Sequence, residues 1–268
     1  MSPMSVNGLP HGEASIQTHR VATHSDTYDL ICVGFGPASL AIAVALHDKH
    51  VNARVLYLER QPEFRWHAGM LLPDARMQIS FLKDLATLRD PRSKFTFLNY
   101  LKSRNRLVAF TNLSTFLPLR EEYNDYLTWC ASHFNHDVRY SHETIDISPA
   151  DAHYGPIELW NVLSRNVETG EKATLTARHI VIAVGGKPRI PESLSDSSPD
   201  SPIVHSSSYS HVVPKVFAEK HRKRHVAVVG GGQSAAEIFH DLQNRFDNVS
   251  VTLFTGDSAL RPSDDSPL

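Results

Sequence analysis

The apolar positions of this chain form short continuous runs that alternate with helix-like patterns, and two of these alternations share one design. In the first, the apolar run 28–33 ends at Gly34-x-Gly36, and apolar positions with helical spacing follow over 37–49. A short apolar run that ends in glycines predicts a buried strand and a tight turn. A further apolar run over 53–59 makes this first unit strand, helix and strand.

The second unit repeats this design near the other end of the sequence. The apolar run 226–229 leads directly into the glycines 230–232, helical spacing continues to residue 246, and a strand is predicted over 249–255. In such a turn the glycines let backbone amides approach a pyrophosphate, and the helix N-terminus adds partial positive charge. We therefore predict an α/β fold with two Rossmann-like dinucleotide-binding domains.

Between the two units the pattern predicts further helices and strands and then a domain boundary. Helices are predicted over 95–102 and 119–134, a hairpin turn at 168–171, and strands over 138–147, 157–163, 173–177 and 179–184, the last of them buried. Two prolines within 187–191 then interrupt regular structure. We predict a disordered leader over 1–27, a first domain over 28–189 and a second over 190–268.

Residues 60–92 show neither a helical nor a strand period. Aromatic and apolar side chains, among them Trp66 and His67, alternate there with polar ones. Long irregular segments inside compact domains are more often functional than not. The plainer interpretation is a surface loop, with Trp66 and His67 simply filling the core.

Composition and charge narrow the class of protein. The chain is 41% hydrophobic with a formal net charge of −2, which offers no electrostatic reason to expect nucleic acid or an anionic membrane surface. No apolar run approaches the roughly 20 residues that cross a bilayer. Cys32 and Cys130 both fall in predicted buried elements without a paired pattern, which favours a reducing compartment. We expect a cytoplasmic protein.

The two turns together indicate electron transfer between two cofactors. Glu59 ends the second strand of the first unit and lies 59 − 34 = 25 residues after Gly34, near the ~20 expected of the carboxylate that accepts a ribose hydroxyl. The first site would hold FAD and the second a nicotinamide nucleotide. A disulfide reductase is disfavoured because no Cys-x-x-Cys is present, and oxygen activation is the other common use of this arrangement.

Two single-residue signals carry little weight by themselves. An isolated lysine such as Lys83 is usually a solvated surface residue, in perhaps ~90% of cases. His47 and His50 are predicted on one helix face, but no third ligand accompanies them, so we expect no metal site.

Five motifs stand out along the chain: Gly34-Phe35-Gly36-Pro37-Ala38-Ser39-Leu40, the stretch from Met77 to Thr87, Arg89-Asp90-Pro91-Arg92, Gly232-Gln233-Ser234-Ala235-Ala236-Glu237, and Arg261 to Pro267. Together they resemble one family, the L-ornithine N(5)-monooxygenases. The stretch from Met77 to Arg92 is narrow to this family and its lysine-hydroxylating relatives. The resemblance extends from about Tyr28 to Pro267. It implies a flavin enzyme that hydroxylates the side-chain amine of L-ornithine with O2, the first step of hydroxamate siderophore biosynthesis.

The resemblance also implies roles for residues at matching positions. FAD would lie on Gly34, Gly36 and Pro37 and be lined by Glu59, Trp66, His67 and Gln78, while NADPH would lie on Gly230, Gly231, Gly232, Gln233 and Ser234. Lys83 would contact the carboxylate end of ornithine. The segment from His205 to Tyr209 resembles the linker between the two nucleotide domains of flavin monooxygenases. No general acid or base is implied, because the enzyme's task is to exclude water and orient the amine.

Two departures from the family pattern are visible. The family places an arginine that pairs with the 2′-phosphate of NADPH where this sequence has Gly256. Loss of that contact should reduce the preference for NADPH over NADH by about 1–3 kcal/mol. Arg261 is the available substitute, although we do not expect it to take that role.

The second departure is length. The family continues beyond Leu268 with a stretch that completes both domains, so both are expected to be incomplete at their C-terminal ends. A parallel sheet needs both faces covered, so we expect this C-terminally truncated polypeptide to fold poorly or to bind FAD weakly. A homo-oligomer is expected only for the full-length form. The alternatives are a non-catalytic remnant, a lysine N-hydroxylase or another flavin monooxygenase.

Overall fold

The computed structural model describes residues 27–151, 155–194, 201–217 and 222–256. Its first half contains β1 (Thr27–Val33), α1 (Pro37–Asp48), β2 (Val55–Leu58), α2 (Phe97–Ser103), α3 (Leu107–Asn112) and α4 (Arg120–Ser132). The remainder contains β3 (Val138–Arg139), β4 (His142–Pro149), β5 (Trp160–Asn166), β6 (Lys172–Ile182), α5 (Tyr209–Val216), β7 (Arg224–Val229), α6 (Gln233–Arg245) and β8 (Val249–Phe254). Short 3-10 turns lie at Ala68–Met70, Phe81–Lys83, Asn135–Asp137, Glu192–Leu194 and Ser206–Ser208.

The first sheet is mixed, with strand order β3-β2-β1-β6-β5-β4. Strands β3, β2, β1 and β6 are mutually parallel, whereas β5 pairs antiparallel with β6 and with β4. In the central register Val33 of β1 lies between Leu58 of β2 and Ile182 of β6. The carboxyl ends of these three strands therefore meet at one edge, where α/β sheets bind their ligands.

One face of this sheet is covered by an aromatic-rich core. Leu40 and Val44 of α1 and Tyr126 and Leu127 of α4 are fully or nearly fully buried in one cluster with Phe97. Aromatic rings dominate here because each buries a large apolar area, and edge and offset contacts add to that burial. The helices α1, α2 and α4 thus hold the strand edge and the first glycine turn in place.

The second sheet consists of β7 and β8, which are parallel and in register from Arg224–Val249 to Val229–Phe254. Helix α6 packs on one face through Ile238 and Leu242. Met70 and Leu72 belong to the irregular segment after β2, and they are buried in the same cluster. The irregular segment after β2 thus contributes directly to the core of the second unit.

The two predicted strand–helix–strand units are confirmed within a residue or two at most ends. The hairpin turn is confirmed as well, because Gly170 has φ +76° between β5 and β6. The two strands predicted over 173–184 are one continuous strand, β6. Its predicted burial is wrong at the carboxyl end, where Ile182 is 67% and Val184 65% exposed because no described element packs over them.

Other differences arise from local signals that are weak or misleading. Helices α3 and α5 were not expected from the pattern, since α3 is short and α5 contains Pro214, a residue that breaks most helices. The expected shared helix face of His47 and His50 is wrong, because α1 ends at Asp48 and His50 has φ 52°. The described residues hold no cluster of three or more potential metal ligands.

Some expectations fall outside the described residues. They concern the leader 1–26, the linker residues 195–200 and the segment 257–268, which includes Arg261. The boundary between residues 189 and 190 stays a prediction. In the parts of the chain that the structure covers, no helix combines the length and the apolar character that a membrane crossing requires.

Candidate nucleotide-binding sites

The first glycine turn begins at a backbone conformation that only glycine adopts freely. Gly34 has φ +91°, and its N–H donates to the carbonyl of Leu58 over 2.8 Å. A Cβ atom at this position would lie 2.5 Å from the carbonyl oxygen of Ala183, just beyond β6. Gly34 therefore lets the turn pass close to the neighbouring strand's end.

Gly36 meets a different requirement, because a Cβ atom there would have no neighbour within 4 Å. Gly36 is the N-cap of α1, and Pro37 follows at the first helical position. The first amides of a helix have no acceptor within the helix and attract anions. Open space over this helix start fits a pyrophosphate, and the Ser39 hydroxyl stabilises the turn by donating to the Gly34 carbonyl over 2.7 Å.

Glu59 lies beside the same turn and its carboxylate is held by two backbone amides. Oε2 accepts from the N–H of Phe35 over 2.7 Å, and Oε1 accepts from the N–H of Gln61 over 2.8 Å. Each carboxylate oxygen has a second lone pair, so Glu59 can still accept a hydrogen bond from a ribose hydroxyl. Burial, assisted by the negative charge of Glu59, raises the pKa of Tyr140 to about 12.

The irregular segment after Glu59 points its two predicted site residues in different directions. Trp66 is half-buried against the core, with its ring centroid 5.8 Å from that of Tyr123. His67 is exposed and has φ 44°, a left-handed conformation at the start of the 3-10 turn Ala68–Met70. Trp66 thus has the core contacts of the plainer interpretation, while His67 faces solvent.

The segment that carries Gln78 and Lys83 is fixed along its length by hydrogen bonds. The N–H of Met77 donates to the Pro118 carbonyl over 2.8 Å, and the N–H of Phe81 donates to the Phe116 carbonyl over 2.9 Å. Gln78 and Lys83 are exposed. Both are therefore presented to solvent from a rigid stretch of backbone.

Asp84, which sequence reasoning missed as a site residue, anchors the end of that segment. Its carboxylate accepts from the N–H groups of Ala86, Thr87 and Phe97, at 2.6–2.9 Å, and from the Thr87 hydroxyl at 2.7 Å. The local signal was an aspartate followed by a turn, in which the side chain bonds to backbone amides two or three residues later. The contact with Phe97 at the start of α2 had no local signal.

The second glycine turn has the same features as the first, namely a glycine at positive φ, a crowded position and an open position at the helix start. Gly230 has φ +145° and its N–H donates to the Phe254 carbonyl over 2.9 Å. A Cβ atom on Gly231 would lie 2.9 Å from Oγ1 of Thr255, whereas one on Gly232, the N-cap of α6, would meet nothing within 4 Å. At the N-terminus of α6, a position in close contact with Thr255 is thus followed directly by one with open space.

A cavity of about 470 Å³ lies over this second turn. Its lining comprises Gln78, Arg120, Val229, Gly230, Gly232, Gln233, Ser234 and Ala235. Gln78 also borders a neighbouring cavity of about 740 Å³ between residues 72–78 and α6. The structure thus brings Gln78 to the second turn, while Glu59 lies at the first; Lys83 borders neither of these cavities.

An ion pair that sequence reasoning missed lies beside these two cavities, with Arg120 lining the smaller and Glu237 the larger. The Arg120 guanidinium donates to both carboxylate oxygens of Glu237, each over 2.8 Å. Arg120 is the first residue of α4 and Glu237 lies in the second turn of α6. No sequence spacing relates two residues so far apart, although Glu237 belongs to a motif already singled out.

The residues present at both turns suit dinucleotides. Each turn presents unoccluded backbone at a helix start, and Glu59 adds a carboxylate at the first turn. Gly256 follows β8, is exposed and has open space around it. No guanidinium is therefore supplied from position 256 itself.

A sequence profile of the family described as L-lysine 6-monooxygenase/L-ornithine 5-monooxygenase matches residues 26–268. An L-ornithine N(5)-monooxygenase of Ajellomyces capsulatus is 56% identical over 241 residues, which are 90% of this chain and 51% of that protein.

Solved structures agree with the sequence match. Ornithine hydroxylase PvdA from Pseudomonas aeruginosa superposes with a TM-score of 0.81 at 43% identity, covering 90% of this chain and 57% of PvdA. The ornithine N-hydroxylase KtzI of Kutzneria sp. 744, in a structure named for reduced FAD, NADP⁺ and L-ornithine, gives a TM-score of 0.82 at 38% identity, with coverages of 90% and 56%. The chain spans about half the length of the relatives it matches. It belongs to the L-lysine 6-monooxygenase/L-ornithine 5-monooxygenase family.

Proposed function

We propose that this chain carries the FAD and NADPH sites of an enzyme that N-hydroxylates the side-chain amine of L-ornithine with O2. The main support is one cavity. It is lined both by Gln78, from the segment between β2 and α2, and by the second glycine turn. That cavity joins the nicotinamide turn to the segment that also carries Lys83. A binding module for a single nucleotide has no need of this arrangement.

The residues at each turn have distinct tasks in this proposal. Gly34, Gly36 and Pro37 hold the FAD pyrophosphate and Glu59 its ribose, while Trp66, His67 and Gln78 line the remainder. Gly230 to Ser234 hold NADPH. When bound, NADPH supplies reducing equivalents and FAD supplies the chemistry that activates O2. The protein binds, orients and excludes water.

Lys83 is proposed to bind the carboxylate of L-ornithine. It ends the 3-10 turn Phe81–Lys83, whose start is capped by the Ser80 hydroxyl accepting from the N–H of Leu82. The next residue, Asp84, is fixed to the start of α2 because its carboxylate accepts from the N–H of Phe97. This turn fixes the backbone from which the flexible Lys83 side chain can present its ammonium group to a carboxylate.

Ornithine is favoured over lysine because the relatives and structures described above are ornithine enzymes. The test supplies FAD, NADPH and O2 to the purified full-length form together with L-ornithine, L-lysine or neither. We expect mass spectrometry to detect addition of one oxygen atom to ornithine. Oxygenation of lysine in preference to ornithine would favour the lysine N-hydroxylase alternative. FAD binding without any oxygenated product would favour the non-catalytic alternative.

A substitution at Lys83 tests its assigned role. Lys83→Met removes the cation that pairs with the substrate carboxylate, so the KM for ornithine should rise about 10-fold or more while FAD affinity is unchanged. Lys102→Met, in the exposed last turn of α2, is the matched control. Equal kinetics for the two variants would contradict the role of Lys83.

Three broader expectations accompany this proposal. They are the domain division at residues 189–190, a cytoplasmic location, and a homo-oligomer of the full-length form. Light scattering of the full-length protein tests the last of these.

A further inference from the structure

We propose that Arg120 and Glu237 are positioning residues that hold the second glycine turn against the segment carrying Gln78. The inference rests on the proposed function, because it concerns how the NADPH site is assembled. Neither residue is given a chemical role. Their task is to fix the distance and orientation between two parts of the site that lie far apart along the chain.

The geometry of the pair is that of a specific fork rather than a loose surface contact. Two parallel hydrogen bonds of 2.8 Å join the guanidinium of Arg120 to the carboxylate of Glu237, and the two side chains are only 15% and 18% exposed. Arg120 also donates to the carbonyl of Met70 over 3.3 Å. Bidentate pairing fixes direction as well as distance, which a lysine cannot do.

On one side, Arg120 is part of the backbone that supports Gln78. Its N–H donates to the Ala75 carbonyl over 2.8 Å, and Arg76 forms an antiparallel bridge with Leu119. Gln78 follows two residues after that bridge. Any displacement of Arg120 is therefore transmitted to the backbone next to Gln78.

On the other side, Glu237 is part of the helix that starts at the second turn. The Gln233 side chain, one helical turn earlier, donates to Oε1 of Glu237 over 2.8 Å. Gln233 is the first residue of α6 and borders the cavity over the glycines. One carboxylate thus connects the helix start to the first unit.

A second contact shows that α6 is also anchored independently of this pair. The Tyr209 hydroxyl donates to Asp241 over 2.7 Å, and Ile238 and Leu242 pack with Met70 and Leu72. Loss of the Arg120–Glu237 pair should therefore leave α6 folded but free to rotate or shift against Gln78. That separates a positioning role from a role in overall stability.

The test compares Arg120→Lys, Glu237→Gln and the reversed pair Arg120→Glu/Glu237→Arg with the unaltered chain. Arg165→Lys is the matched control, since Arg165 pairs with Glu143 on the β4–β5 hairpin, remote in sequence from both turns. We expect each single variant to weaken NADP⁺ binding about 10-fold while FAD affinity stays within a factor of about two. The reversed pair should regain most of the loss.

Hydrogen exchange supplies a readout that does not depend on activity. In the single variants the amides of residues 233–236 should exchange faster, while those of α1 and α4 should not change. The inference is overturned if Arg120→Lys alters NADP⁺ affinity and exchange no more than Arg165→Lys does. It is also overturned if FAD affinity falls in parallel, which would indicate general destabilisation.

Failure of the proposed function gives a different result. In that case the unaltered chain neither binds NADP⁺ nor oxygenates ornithine, and exchange alone decides the inference. Unchanged protection at residues 233–236 in Arg120→Lys would then overturn the positioning role, and faster exchange would support it.

Discussion

At the scale of single residues, the glycines of the two turns meet two opposite demands. Gly34 is required because the Ala183 carbonyl lies where its Cβ atom would be, and a Cβ atom on Gly231 would displace Oγ1 of Thr255. Gly36 and Gly232 stand where a Cβ atom would meet no protein atom at all. The first pair serves the fold, and the second pair leaves space for a ligand.

This difference predicts opposite outcomes for substitutions two residues apart. Gly36→Val should leave the protein folded, because its φ of −87° suits any residue and the space is open. It should weaken FAD binding about 10-fold or more, because the side chain would occupy the space over the helix start. FAD fluorescence titration and thermal unfolding measure the two effects.

Gly34→Ala should instead lower stability by ~1–3 kcal/mol, since it places a Cβ atom both at positive φ and against Ala183.

For Gly36→Val, the control for a bulky side chain on the surface is Gly155→Val, because Gly155 also has open space around it. A Gly36→Val variant that binds FAD as tightly as this control would contradict the assignment of the first turn.

Which residues could be predicted from the sequence depended on how far their partners lie along the chain. The glycine turns and Glu59 are local to one strand–helix–strand unit, so spacing and residue type were sufficient to place them together. Asp84 and Arg120 act through partners on other elements. No period or motif encodes such contacts, and only the folded chain brings the groups together.

At the scale of elements, α5 shows how tertiary contacts can override local propensity. The helix contains Pro214, yet Tyr209 and Val213 are buried against α6 and the segment around Met70. The backbone of Ser207, just before α5, packs directly against Gly69. A Cβ atom on Gly69 would overlap the Ser207 carbonyl. Strands with plain apolar runs were predictable, whereas a helix stabilised by a distant glycine was not.

Tyr209 offers a test of how strongly α5 stabilises α6. Tyr209→Phe removes the hydrogen bond to Asp241 and should lower the free energy of unfolding by ~1–2 kcal/mol. Burial raises the pKa of the Tyr209 phenol well above its ordinary value, so the group is a neutral donor under physiological conditions. Urea denaturation measures the loss.

Ser210→Ala is the control on the same helix, because its hydroxyl makes only a long bond of 3.4 Å to the Leu71 carbonyl. Equal stability of the two variants would show that α5 is held by apolar packing alone. A larger loss for Tyr209→Phe supports the bond to Asp241 as the stronger anchor.

At the scale of the whole molecule, the buried ionisable groups among the described residues are mainly phenols and thiols. Burial raises the pKa of Cys32 from 9.0 to about 11, and burial raises the pKa values of Tyr100 and Tyr140 from 10.0 to about 12. Both cysteines are free and buried, as their placement in apolar elements predicted. These buried phenols and thiols are therefore neutral at physiological pH, and burial makes them resist ionisation.

This predicts a specific alkaline limit to stability. A raised folded pKa means that the neutral form is favoured in the folded state, so the stabilisation is complete below the unfolded values of 9.0 for the thiol and 10.0 for the phenols. Above them the unfolded state releases protons that the folded state retains, and each such group lowers the free energy of unfolding by roughly 1.4 kcal/mol per pH unit. The loss from these three groups continues until pH about 11–12, where the folded groups titrate as well.

Circular dichroism and phenolate absorbance followed together as the pH is raised should therefore show one cooperative transition in this window. Phenolate absorbance should lag behind the titration of free tyrosine, and thiol reagents should react with Cys32 only as ellipticity is lost. Rapid labelling of Cys32 near pH 8, with ellipticity intact, would show that β1 opens without global unfolding. Since β1 pairs with both β2 and β6 and leads into Gly34, that opening would also expose the first nucleotide turn.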